Sequence, residues 1–419
     1  MTTAHATTTG APIATAPHVR ARLRYAVWAV WVSPALLAPF DRVLLRGPLG
    51  DDDGHHVLVS PPGGGNIGDQ AMVESFLENT DGRVLVLEHA PGAVQVPPVH
   101  AERTRVRTLP ALVYGGGLPH LRDVLELRGL LRRARSLSVV GADLMDGGYG
   151  DRGARTLART AELATRAGVP ARVLGFSWSP HPHPRARRAV RRASRAGVRL
   201  MVREPRSAAR AEADGLAHVV RVADTVFSAP PLDPSQSDRT TPGLGRYVVV
   251  NVSGLIHARR DLVEPFTALV RRLRAQGLGV VLLPHVRRPG GDDVAACALV
   301  AEQFADDPDV RLVDRICTPA QVRSLVSGAH LVVTGRMHLA VLALSRRVPA
   351  VCLASQGKVE GLMELVGTPQ LAVQPDEHLD RTLLEVTDAA LARRATLADT
   401  VGARTDRLRR LSRRNFRGL

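Results

Sequence analysis

From residue 55 onward the chain repeats one rhythm: a short apolar run, a Gly-rich or polar turn, then a helical stretch. The runs His56–Ser60, Arg83–Glu88, Ala111–Tyr114, Ser138–Gly141, Arg172–Gly175, Arg199–Val202 and Val219–Val222 predict strands. Several are apolar throughout rather than alternating, the pattern of parallel strands covered by helices on both faces. Ser228–Gly245 interrupts the rhythm with Pro230, Pro231, Pro234 and Pro242 and little to bury, which reads as a linker. The rhythm then restarts with Tyr247–Val252, Gly279–Leu283, Val310–Val313, His330–Val333 and Ala350–Leu353.

This pattern predicts an α/β fold of two Rossmann-like parallel-sheet domains, facing each other across a cleft at the carboxyl ends of their strands. The expected divisions are a disordered tail with an apolar N-terminal helix over 1–50, a first α/β domain over 51–230, and a linker over 231–245. A second α/β domain over 246–375 and C-terminal helices over 376–419 complete the chain. The basic tail Arg407–Arg417 reads as a solvated face.

The apolar run Tyr25–Phe40 contains Pro34 and Pro39 and is shorter than the roughly 20 residues a membrane-spanning helix needs. It also lacks the short leader and small-residue cleavage site of a signal peptide. A helix packed on the first domain is expected there. The alternative is a peripheral membrane contact through 20–40, anchored by Trp28, Trp31 and the arginines Arg20, Arg22 and Arg24.

Charge changes the picture in one direction. A net +16 favours anionic partners, but aromatics are only 3% and no zinc-finger or aromatic-basic signature occurs, so nucleic acid is not expected. Phosphorylated metabolites, acidic glycans and anionic membrane surfaces remain. Cys297, Cys317 and Cys352 are scattered and odd in number, which gives neither a disulfide framework nor a metal spacing. A cytoplasmic location, at most on the inner face of a membrane, no metal and no cofactor are therefore expected. Of the 56 basic side chains all but Lys358 are arginine, so one compact, movable ammonium stands in a chain otherwise written in rigid forks.

The sharpest N-terminal motif is Pro62-Gly63-Gly64-Gly65-Asn66-Ile67-Gly68-Asp69-Gln70, between a strand and a helix. Its free N–H groups and the helix dipole point into the cleft. Gly63-x-Gly65-x-x-Gly68 with the later Glu88 also matches a dinucleotide fingerprint, which would make the protein a nicotinamide oxidoreductase. Asn66 and Asp69 at the turn argue against that, since a carboxylate repels a pyrophosphate. Asp69 reads either as the N-cap of a helix over 70–79 or, with Asn66 and Gly68, as a binder of a polyhydroxyl acceptor. At other strand ends, Asp143, Asp146 and Asp224 are candidates for acceptor hydroxyls, His285 for the cleft, and Asn251 and Ser253 for either substrate.

The loop GGGNIGDQAM, Tyr114-Gly115-Gly116-Gly117, Val202-Arg203-Glu204-Pro205-Arg206-Ser207, Val222-Ala223-Asp224, Gly335-Arg336-Met337-His338-Leu339-Ala340 and Val348-Pro349 follow in order. Together they resemble the polysaccharide pyruvyl transferase family over roughly residues 56–370. The resemblance implies a two-domain fold similar to the B-type glycosyltransferases. It also implies transfer of pyruvate from phosphoenolpyruvate to a sugar as a cyclic ketal, with Arg203, Arg336 and His338 lining the donor site. Lys358 is similarly placed to a basic residue of the family, though Ser355-Gln356-Gly357 lacks the aromatic-acidic lead-in of the pattern.

The residue types suit that chemistry. Phosphoenolpyruvate carries about three negative charges near neutrality. Arg203, Arg336, Lys358 and His285 are the expected donor-binding residues, Arg336 and His338 the catalytic ones, with His338 as proton carrier. The acceptor is expected to be a sugar of a polysaccharide or lipid-linked oligosaccharide at a cell surface. The competing readings are a nucleotide-sugar glycosyltransferase on the same plan and a non-catalytic glycan-binding homologue.

Overall fold

The computed structural model describes residues 34–51, 53–232, 241, 243–354 and 357–419. Residues 1–17, Trp28, Trp31, the centre of the Pro-rich linker and Ser355-Gln356 lie outside the described residues.

The first sheet is β1 (His55–Val59), β2 (Val84–Glu88), β3 (Thr104–Thr108), β4 (Ala134–Val140), β5 (Ala171–Phe176), β6 (Arg199–Val202) and β7 (Val219–Arg221), in the order β3-β2-β1-β4-β5-β6-β7. The second is β8 (Tyr247–Asn251), β9 (Gly279–Leu282), β10 (Val310–Leu312), β11 (Leu331–Thr334), β12 (Ala350–Leu353) and β13 (Ala372–Val373), in the order β10-β9-β8-β11-β12-β13. Every pairing in both sheets is parallel. In both sheets the order reverses beside the first strand, and that reversal opens a crevice at the carboxyl ends.

Two strand assignments differ from the sequence pattern. Ala111–Tyr114 forms turns, and the third strand is the preceding segment Thr104–Thr108. Its sequence Thr-Arg-Val-Arg-Thr is largely exposed because it is an edge strand, so the apolar signal is missing where the strand is and present where it is not. The two-residue β13 is likewise an edge.

The first sheet's two faces are buried differently. One packs under Leu127, Leu157, Ala161, Val190 and their neighbours in a core of its own. The other is continuous with the second sheet's core through Phe76, Ala223, Val226 and Phe227. The C-terminal helix Arg394–Arg413 crosses back to the first domain and packs on the turn Thr225–Ser228. Expected as a solvated tail, its end is a strap: the arginines from Arg407 onward face outward, while Asn415 and Phe416 are buried. Asn415 donates to Ala223 O and accepts from Gly175 N, both at 3.0 Å, and Phe416 meets the Phe76 ring edge-on at 6.2 Å.

Candidate active site

The loops after β4, β5, β6 and β7 bring Asp143, Ser177, Arg203 and Asp224 together. Arg203 is the hub and its side chain is wholly buried. It donates through Nε to Ser177 Oγ and through Nη1 to Asp224 Oδ2, both at 2.8 Å, and through Nη2 to Asp143. Lys358, first residue of the helix Lys358–Val366 in the second domain, donates to the other Asp143 oxygen. Burial alone would raise the Asp143 carboxyl, but Lys358 and Arg203 outweigh it and hold it at about 2. Burial is likewise overcome at Asp224, where His338 and Arg203 hold the carboxyl below the usual range.

His338 enters this group from the second domain. It lies in the first turn of the helix Met337–Leu344, with Nε2 3.5 Å from Asp224 Oδ2 and 3.3 Å from Arg203 Nη1. The ring rests on the Gly-rich loop: a Cβ on Gly68 would stand 2.4 Å from His338 Nδ1. The third glycine of the apparent dinucleotide fingerprint therefore makes room for a histidine. Gly63 and Gly65 have positive φ, and a Cβ on either would meet Ala93 O or Arg287 O. Glu88 is committed to Gly92 N, Val94 N and Thr108 Oγ1, so it cannot serve a ribose as it stands.

Arg336 has its own partner. Its Nη2 lies 2.6 Å from Asp293 Oδ1 and its Nε 3.1 Å from both Asp293 oxygens, with Gly291 O accepting at 2.9 Å. Asp293 is fully buried and also accepts from Asn251 Nδ2, Gly254 N, His285 N and Val286 N. Asn251 thus holds a carboxylate rather than facing a substrate. Beside Arg336 and His338 sits His285, 1% exposed, with neither ring nitrogen partnered. Burial, His338 and Arg336 push its pKa well below the usual imidazole range, so the ring is neutral. Ser253 Oγ is a second buried, unpartnered atom, packed under Gly335.

Arg203, Arg336 and Lys358 stand where the sequence pattern puts them, and each is paired with a buried or half-buried aspartate. Asn66 is the N-cap: its Oδ1 accepts from Gly68 N at 3.0 Å and the helix runs Ile67–Glu78, so Asp69 sits inside the first turn. Asp69 accepts from Gly63 N at 3.2 Å and Arg288 Nη2 at 2.7 Å, which ties the loop to the second domain. Asp146 caps its own turn through Gly148 N. The sequence pattern does not single out Asp293, Ser177 or Arg288 as site residues. Only Asp293 had a signal, as an acidic first-turn residue after Gly290-Gly291 at a helix start.

The sequence profile of the family described as polysaccharide pyruvyl transferase matches residues 111–357, more than half of the chain. The chain belongs to that family. The match contains Asp143, Arg203, Asp224, His285, Asp293, Arg336 and His338, and it ends at Gly357, just before Lys358. No curated protein matches the chain significantly. Among solved structures, a UDP-N-acetylglucosamine 2-epimerase superposes with a TM-score of 0.58 at 9% identity, covering 88% of this chain and 95% of that one. The UDP-GlcNAc 2-epimerase from Neisseria meningitidis, bound to UDP-GlcNAc, gives 0.56 at 10% identity, covering 86% and 96%. The glycotransferase of kitacinnamycin gives 0.52 at 16% identity, covering 88% and 96%. At these identities the likeness is one of fold, the two-domain plan of B-type glycosyltransferases. Among the described residues no His, Cys, Asp and Glu group is arranged to hold a metal, and no helix is long and apolar enough to cross a membrane.

Proposed function

We propose that the protein transfers the pyruvate group of phosphoenolpyruvate to a sugar of a cell-surface glycan as a cyclic ketal, releasing phosphate. The observation that carries this reading is His338, held on Gly68 between Asp224 and Arg203 beside the neutral, unpartnered His285. An unpartnered buried polar group costs about 1–3 kcal/mol, which a ligand oxygen at His285 and Ser253 would recover.

The charges fit a displacement rather than an open anion hole. Arg203, Lys358 and Arg336 face Asp143, Asp224 and Asp293, so an incoming trianion must take over hydrogen bonds now given to aspartate. Asp143 is the most open of the three, with its side chain 22% exposed, and Lys358 is the cation it would release. Lys358 and His285 are the proposed contacts of the donor's phosphate and carboxylate. Arg203 and Arg336 position the aspartates and His338 around them.

In the reaction, His338 acts as the acid that gives a proton to the methylene carbon C3, and the resulting cation at C2 is captured by a sugar hydroxyl whose proton passes back to the imidazole. A second hydroxyl then attacks C2 as the C2–O bond to phosphate breaks, and its proton leaves with the phosphate. The products are the ketal and inorganic phosphate, and C3 has become a methyl group. Positioned proton transfer of this kind supplies about 10²–10⁴ in rate. The acceptor is a polysaccharide or lipid-linked oligosaccharide, met from the cytoplasm, and the protein contacts the membrane peripherally. Phosphate release from phosphoenolpyruvate that depends on added cell-envelope glycan tests the reading. Turnover of a nucleotide sugar with the same glycan, and none of phosphoenolpyruvate, would replace it with a glycosyltransferase.

A further inference from the structure

The helix Pro34–Leu44 is fastened to the first domain by a buried charge cluster. Asp41, 3% exposed, lies 3.1 Å from His120 Nε2 and accepts from Arg159 Nη1 at 2.8 Å. Farther along, Arg128 Nη2 donates to Arg46 O at 3.2 Å. These contacts set Pro34–Leu44 alongside the helix Gly117–Leu131, in which Gly117, His120, Val124, Leu127 and Leu131 face inward. The other face of Gly117–Leu131 carries Leu118, Arg122 and Leu125.

Held this way, the two helices expose Phe40 (57%), Val43 (67%), Leu118 (70%) and Leu125 (52%). Phe40 is the one exposed phenylalanine of the chain's seven. Exposed apolar side chains scattered singly are ordinary, but four on adjacent helices mark an interaction surface. The same helices and the turns after them expose Arg42, Arg46, Arg122 and Arg132, none within ion-pair distance of a carboxylate among the described residues. The acidic residues of the two helices themselves are occupied: Asp41 as above, Asp123 by Ala111 N at 2.7 Å, and Glu126 by Arg107. The outer faces of the two helices are therefore apolar and cationic, and the nearest exposed carboxylates in sequence are Asp51 and Asp53, beyond Arg46 at the far end of the turn.

We infer that this face docks the protein on an anionic lipid bilayer. The apolar side chains enter the boundary between headgroups and acyl chains, and the arginines reach up to the phosphates, the division of labour of an interfacial surface. A second copy of the chain fits less well, because a two-fold contact would set the same arginines against each other. This docking face lies in the folded domain and uses none of the chemistry in the cleft, so failure of vesicle binding leaves the proposed reaction untouched, and loss of that reaction leaves the face in place.

The test is co-sedimentation of the full chain with vesicles of phosphatidylcholine plus phosphatidylglycerol, against vesicles of phosphatidylcholine alone. Binding to the anionic vesicles that weakens with salt is expected. It should fall about tenfold or more in F40S/V43S/L118S/L125S and also in R42Q/R46Q/R122Q/R132Q, with thermal unfolding unchanged because all eight positions are exposed. Failure of the wild type to bind anionic vesicles overturns the inference. So does undiminished binding by the serine variant, which would place the contact elsewhere in the chain. A wild-type dimer that the serine variant splits, without vesicle binding, assigns the face to a second copy instead.

Discussion

Gly68 and His338 are packed so closely that a methyl group on the first would overlap the ring of the second: the added carbon would sit 2.4 Å from Nδ1 and 2.7 Å from Cγ. Gly68 belongs to the first domain and His338 to the second. The loop therefore sets the position of the proposed proton carrier across the cleft. Gly68→Ala is expected to displace the ring and lower kcat by about a hundredfold, the scale at which a misplacement near 1 Å acts. Phosphoenolpyruvate affinity should change much less. Steady-state kinetics checks this, and a KM effect with kcat intact would show that His338 is not the group being moved.

Asp224 neutralises Arg203 in the interior, with its side chain 1% exposed, and also contacts His338. Removing one member of a buried pair leaves the other uncompensated, so Asp224→Ala should cost about 3–5 kcal/mol in denaturant unfolding. The depressed carboxyls also fix a sign in pH. Their stabilisation is fully present above the unfolded carboxylate range and is lost as pH falls toward the folded value, about 2 for Asp143. Acid unfolding of the wild type should thus fall below about pH 4, and Asp143→Asn should weaken that dependence.

Glu204 acts in the opposite sense. It caps the helix Pro205–Ala213, accepting from Ser207 N at 2.9 Å, and a Cβ on Gly361 of the second domain would strike its Oε2. Burial pushes its carboxyl up to about 7. A raised acid stabilises the fold when protonated and loses that contribution as pH rises through the folded value. Thermal scans should show Glu204→Gln gaining on the wild type between about pH 4.5 and 7, by on the order of 3 kcal/mol. Equal pH profiles would contradict the burial argument.

Phe416 should matter more than its place near the end of a basic tail suggests. Its ring, 4% exposed, packs on Phe76 beneath the Gly-rich loop's helix. Phe416→Ala should cost about 3–5 kcal/mol, measured by equilibrium unfolding, whereas Arg414→Ala, fully on the outer face, should be near neutral.

The two-sheet plan was legible because most strands are buried on both faces and carry near-continuous apolar runs, as in Val-Val-Val at 248–250. It failed at Thr104–Thr108, where an edge strand shows arginine to solvent. The candidate site was legible as residue types at strand ends: Arg203, Asp224, His285, Arg336, His338 and Lys358 all stand within or just after such loops. Their pairing was not legible, because ion pairs join residues distant in sequence. Lys358 meets Asp143, 215 residues earlier, and that partner turns a solitary cation into half of an interdomain bridge. Arg336 misled for the same reason, since its partner Asp293 lies in a different helix.

A cleft built for a small phosphorylated carboxylate should distinguish phosphoenolpyruvate from a nucleotide. Isothermal titration with phosphoenolpyruvate and, separately, with UDP measures that difference. Saturable binding of phosphoenolpyruvate to the wild type is expected, weakened about tenfold or more in Lys358→Met and His285→Ala, with no measurable binding of UDP. Tight binding of UDP with none of phosphoenolpyruvate would contradict that reading of the cleft.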